Sequence, residues 1–147
     1  MKASEKGLAL IRSFEGLRLN AYRCVAGVAS VGYGTTKGVK MGDSVTKSEA
    51  EAMLCDDVQR FVDHIEALVK VPLNQNHIDA LAALVYNIGP SAFAASTMLK
   101  YINAGLYAEA ALQFLRWNKV RKDGQLTPSA GLTRRRVAER ALFESQP

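Results

Sequence analysis

The sequence predicts an α+β fold, mainly α-helical, with a small β-hairpin lobe, a long connecting helix and a helical C-terminal lobe. Three observations carry this. Between two helix-like stretches, Leu17 to Tyr33 alternates like a strand pair folded about a glycine turn. Thr46-Lys47-Ser48-Glu49 is a capping-box pattern that opens a long amphipathic run. Beyond Pro72 the apolar residues recur at helical spacing.

In chain order, Ser4 is placed to cap a first helix whose Leu8, Leu10, Ile11 and Phe14 share one face, and Gly16 supplies its stop. Leu17, Leu19 and Ala21 then alternate with Arg18, Asn20 and Tyr22, and a turn at Ala26-Gly27 reverses the chain into Val28 to Tyr33. The long helix, with Ala50, Met53, Leu54, Val58, Phe61, Ile65 and Leu68 apolar, runs to Pro72 and joins the two lobes. Asn74 caps the next helix. Its Ile78, Leu81, Leu84, Val85 and Ile88 are too apolar for a surface element, so it forms the centre of the second lobe until Gly89-Pro90 stops it. Shorter helices are expected over Thr97 to Asn103, Tyr107 to Trp117 and Thr133 to Glu144, with Arg121 to Ala130 a loop. One domain over 1–147 results, with a small lobe at about 14–46, the connecting helix at about 47–70 and the helical lobe at about 72–147.

At 147 residues and 48% hydrophobic the chain buries a core large enough to need no covalent staples. Two distant cysteines make no disulfide framework and indicate a reducing compartment. Met1-Lys2-Ala3-Ser4-Glu5-Lys6 begins no apolar run, so neither a secretory signal nor a membrane anchor is expected. No cluster of His, Cys and carboxylates has ligand spacing and no glycine loop suits phosphate, so no metal or cofactor is expected. Cys55, His64 and His77 read as structural or cap residues. Between Arg116 and Arg140 stand eight basic residues against Asp123 and Glu139, while the whole chain is only +5. The simplest reading is a solvated helix face. Charge alone would also suit nucleic acid, but no aromatic residues interleave the arginines, and a polyanionic polymer explains the patch equally well.

Chemistry gathers around the first hairpin. Glu15 closes the first helix, and a helix C-terminus disfavours a carboxylate's ionised form, which suits a general acid. The hairpin is expected to hold Cys24 and Ser30 across from it. Alone, Cys24 would read as a small buried hydrophobe and Ser30 as an ordinary strand hydroxyl. An unperturbed thiol is also mostly neutral at pH 7.

The spacing Glu15, eight residues, Cys24, five residues, Ser30 resembles the catalytic pattern of the phage-type (T4-like) lysozymes, glycoside hydrolase family 24, and in particular lambdoid-phage-like endolysins. That pattern has Glu, then Asp or Cys, then Thr. The resemblance continues through Val31-Gly32-Tyr33-Gly34-Thr35-Thr36, Val71-Pro72-Leu73-Asn74-Gln75-Asn76 and Asn87-Ile88-Gly89. It closes on Phe114-Leu115-Arg116-Trp117-Asn118-Lys119 and Gly131-Leu132-Thr133-Arg134-Arg135-Arg136. It implies a lysozyme-like two-lobe fold and hydrolysis of the β-1,4 bond between N-acetylmuramic acid and N-acetylglucosamine in bacterial peptidoglycan. Glu15 would be the acid, and Cys24 and Ser30 would hold the attacking water. Tyr33, Gly34, Asn87 and Gly89 are candidate substrate-binding residues. A monomer without stable membrane insertion is implied, made in the host cytoplasm and dependent on a holin to reach the periplasm and wall.

The chain departs from the family at Ser30, where Thr is usual, at Ala29, where Trp is common, and at Thr35, where His is usual. Ser keeps the hydroxyl but loses the methyl that fixes its rotamer. Two alternative readings follow: a lytic transglycosylase, which needs no second carboxylate and leaves 1,6-anhydro ends, and a weakly active wall-binding module.

Overall fold

The computed structural model describes all 147 residues. Its elements are α1 (Glu5–Glu15), β1 (Arg18–Arg23), β2 (Ala29–Gly32), α2 (Lys47–Leu68), α3 (Gln75–Ile88), α4 (Pro90–Ala94), α5 (Thr97–Asn103), α6 (Tyr107–Leu112), a 3-10 turn (Gln113–Trp117), β3 (Lys119–Lys122), β4 (Gln125–Pro128) and α7 (Ala130–Glu144). The α+β, mainly helical class stands.

Helix α3 organises the interior because its sequence leaves it almost no polar face. Ile78, Leu81, Leu84 and Val85 are fully buried, as are the three alanines between them, which let neighbouring helices approach closely. Helices α1, α2 and α7 pack around it. Its N-terminus is closed by a reciprocal cap. Asn74 Oδ1 accepts from the His77 amide at 2.8 Å, and His77 Nδ1 accepts from the Asn74 amide at 3.2 Å. The ring of His77 is half-buried against Tyr107 and Phe143, and burial lowers its pKa. Helix α2 opens on the expected capping box, Thr46 with Glu49. It ends at Leu68, four residues before Pro72, where Asn103 accepts from the Lys70 amide and donates to the Leu68 carbonyl.

The hairpin β1–β2 is antiparallel with an irregular register: Arg18 faces Gly32 and Tyr22 faces Ser30, so β1 carries two extra residues. Those residues turn to a third segment. The Ala21 amide donates to Asp43 and the Val45 amide donates to Leu19. Such a bulge bends a strand and re-aims its side chains.

Four expectations need correction. Arg121 to Ala130 is not a loop: β3 and β4 pair in full register about an Asp123-Gly124 turn with positive φ at both residues. Asp-Gly is a strong two-residue hairpin signal, here hidden by the polar composition around it. The helix from Tyr107 stops at Leu112 and tightens into the 3-10 turn through Trp117. Pro90 opens a further short helix, α4, its fixed φ suiting the first helical position. Ser4 occupies the cap position of α1 without capping it, because its amide and hydroxyl both donate to the buried carboxylate of Asp79 on α3.

Candidate active site

Glu15 is the last residue of α1, and Gly16, at φ 70°, turns the chain directly into the hairpin. Helix and strand therefore meet at the carboxylate. The side chain is 22% exposed and accepts from Arg135 Nη1 at 2.7 Å. Gly34 lies on its other side. A Cβ built at Gly34 would stand 3.3 Å from Glu15 Oε2, and the residue has φ +94°, so glycine is required twice over. Gly34→Ala is expected to cost about 1–3 kcal/mol in stability from backbone strain. It should also displace Glu15, so wall clearance should fall even at temperatures where the variant remains fully folded by circular dichroism.

Arg135, in the sequence only one of a run of three arginines, is a member of this site. It is 5% exposed, lies over the Phe14 ring, and splits its donors three ways: Nη1 to Glu15, Nε to Glu139 at 3.2 Å and Nη2 to the Ala83 carbonyl at 3.3 Å. Arg136, fully buried, donates Nε to the Trp117 carbonyl at 2.9 Å, Nη1 to Glu139 and Nη2 to Asn87 Oδ1. Glu139 is fully buried between the two guanidiniums. Burial pushes its pKa up while Arg136 and Arg135 oppose the shift, and burial likewise lowers Arg136. Each guanidinium donates to a different oxygen of Glu139, the arrangement of a bridging ion pair. The solvated basic face read from the sequence is thus corrected: Arg135 and Arg136 belong to the interior. The signal was present as Arg-Arg followed by Glu at helical i+3 and i+4 spacing.

Cys24 and Ser30 come together at the far end of the hairpin. Cys24, half-buried, closes the turn by donating its amide to Val28 and accepting from Gly27. Amides of Val28 and Ala26 face its sulfur and lower its pKa below an ordinary thiol's. Ser30 is 2% exposed and donates to the Val28 carbonyl at 3.2 Å. No hydrogen bond joins either residue to Glu15. Glu15 meets the hairpin at its base, through Gly34.

The remaining candidates divide. Tyr33 is buried, and its side chain points to α2 with the hydroxyl donating to Glu51 Oε1 at 3.0 Å. Its carbonyl accepts from Tyr86 at 2.6 Å. Tyr33 thus ties the end of the hairpin to α2 and α3. Asn87 is exposed beside a groove of about 500 Å³ that Ile88, Trp117, Lys119 and Leu126 also line. Gly89 caps α3 at φ 88° and donates to the Val85 carbonyl. Thr35, where the family usually has His, is buried and donates to Asp57 Oδ2 at 2.7 Å.

A glutamate between a helix end and a bent hairpin, backed by a helical lobe, defines a lysozyme-type glycoside hydrolase. Residues 12–139 match the model of the phage lysozyme family. The chain belongs to that family. It is 48% identical over 145 residues to an endolysin of Acyrthosiphon pisum secondary endosymbiont phage 1, covering 99% of both chains. Among solved structures it is similar to the muramidase domain of SpmX from Asticaccaulis excentricus, with TM-score 0.94, 39% identity and 99% of both chains covered. It is also similar to the endolysin of Escherichia coli O157:H7 phage FAHEc1, with TM-score 0.89, 42% identity, and 98% of this chain and 94% of that one covered.

Proposed function

We propose that this endolysin-type muramidase cleaves the β-1,4 bond between N-acetylmuramic acid and N-acetylglucosamine with inversion, Glu15 protonating the leaving oxygen. The observation that carries the reading is the setting of Glu15: one carboxylate at the helix–hairpin junction, oriented by Arg135 and flanked by Gly34. A retaining route needs a nucleophilic carboxylate about 5–5.5 Å from the acid. The carboxylate that shares Arg135 with Glu15 is Glu139, which is fully buried and has no path to a sugar. Water must then attack from the opposite face. We assign that water to Cys24 and Ser30, the pair that the resemblance gives for it. The domain comprises the small lobe at about 14–46, the connecting helix and the helical lobe. No helix is long and apolar enough to cross a membrane. Passage to the wall would depend on a separate holin, and the enzyme would act as a monomer without metal or cofactor and without binding nucleic acid.

Initial rates on purified peptidoglycan test these roles. Cys24→Asp is expected to retain activity, since a carboxylate accepts the water's hydrogen bond at least as well, whereas Cys24→Ala loses more. Ser30→Thr should be neutral or better. Ser30→Val should lose ten- to a hundredfold, the equivalent of one hydrogen bond of roughly 1.5–3 kcal/mol. The released reducing ends should show inverted stereochemistry by proton NMR. Wild-type rates in both Cys24→Ala and Ser30→Val, with 1,6-anhydro ends, would replace this mechanism with transglycosylation.

A further inference from the structure

Glu15, Arg135, Glu139 and Arg136 form a row of alternating charge that runs from the cleft into the interior of α7. Its outer end is 22% exposed and its inner two members are fully buried. With all four groups ionised the row is neutral. A general acid begins its cycle protonated, and the row then carries one net positive charge.

One guanidinium serves both carboxylates, Arg135 giving Nη1 to Glu15 and Nε to Glu139. We propose that Glu139 and Arg136 are positioning residues for Glu15 that set the pH range of activity, Glu139 by holding part of the Arg135 charge away from the acid and Arg136 by limiting how far it does so. This rests on the reading of Glu15 as the acid. Without Glu139's charge, Arg135 faces Glu15 alone and Arg136 is unbalanced behind it, so the Glu15 proton is released at lower pH. Without Arg136, Glu139 draws more strongly on Arg135, and the Glu15 proton is held to higher pH. Arg136 also feels the Glu15 charge directly.

The groups facing the row from each packed element leave this balance intact. From α1 come Glu15 and the Phe14 ring. From α3 come the Ala83 carbonyl, the Asn87 amide group and Tyr86, whose phenol burial pushes far above its usual value and keeps neutral. The 3-10 turn gives the Trp117 carbonyl. Its Arg116 lines the groove beside Arg136 together with Lys119, and both are exposed; so is Glu109 of α6. Water screens those three far more than the buried row.

The test is the rate on purified peptidoglycan between about pH 4 and 9 for the wild type, Glu139→Gln, Arg136→Gln and the double variant, with folding checked by circular dichroism. The high-pH limb of Glu139→Gln is expected to move down by roughly one pH unit and that of Arg136→Gln up by a similar amount. The double variant, which removes one charge of each sign, should return to within a few tenths of wild type. A merely structural role would lower rates in all three without opposed shifts. Limbs that stay fixed, shift in the same direction or fail to return in the double variant overturn the proposal. If Glu139→Gln does not fold, the upward shift of Arg136→Gln and its cancellation in the double variant decide alone. Glu15→Gln separates the two readings: if it stays active, the acid assignment is wrong, and if it is inactive while the limbs stay fixed, only the positioning role fails.

Discussion

Glu15→Gln is expected to abolish wall clearance while leaving the protein folded. An amide has no proton to donate to the leaving oxygen, and general acid catalysis is worth about 10²–10⁴-fold. The fold should survive because Arg135 keeps two of its three partners, Glu139 and the Ala83 carbonyl, and the glutamine oxygen can still accept from Nη1. The measurement is turbidity loss of a permeabilised Gram-negative suspension beside a thermal melt. Clearance above a few per cent of wild type, with an unchanged melt, would remove Glu15 from the acid role.

The second large effect is on stability. Glu139→Ala leaves Arg135 and Arg136 buried side by side, each short of a carboxylate, and breaking a buried pair by deleting one partner costs about 3–5 kcal/mol. Against a typical total of about 5–15 kcal/mol this is a large fraction, and the urea midpoint should fall steeply. Arg140→Ala is the control. It removes a charge from the same helix, but its pair with Glu144 is partly exposed, so the change should stay within about 1 kcal/mol. Equal midpoints for the two variants would mean that the buried row contributes little to holding α7.

The residues that were legible in the sequence share a property: their local chemistry suffices to specify them. Thr46 with Glu49 and Asn74 with the following turn carry their own hydrogen-bond partners within three residues, and both caps form as the pattern predicts. The apolar run of α3 has no surface it could tolerate, so its central burial follows from composition alone. Glu15 was visible because it stands where a helical period gives way to a strand period. Ser4 shows the opposite case. A good capping residue was present, but a buried carboxylate 75 residues away competes for its hydroxyl and wins.

Arg135, Arg136 and Glu139 lay in the same position of ambiguity. On a helix, Arg-Arg with a Glu one turn on reads equally as a solvated salt-bridge face or as a buried pair, because the spacing is identical and only the neighbours differ. Packing of α7 on α3 and the 3-10 turn decides it, bringing the Ala83 and Trp117 carbonyls and Asn87 within reach so that every guanidinium nitrogen has a protein acceptor. The same holds for the partner of Tyr33, which is supplied by Glu51 of α2 and not by the motif around it.

By itself, then, the sequence determined the helical framework, the first hairpin, the family and the place of Glu15 at the helix–hairpin junction, all of which rest on interactions between residues close in the chain or on a motif of fixed spacing. Only the tertiary structure decided which charges are inside. Desolvation depends on what distant segments place beside a side chain, and one formal charge can be a solvated surface group or the buried partner of another charge accordingly.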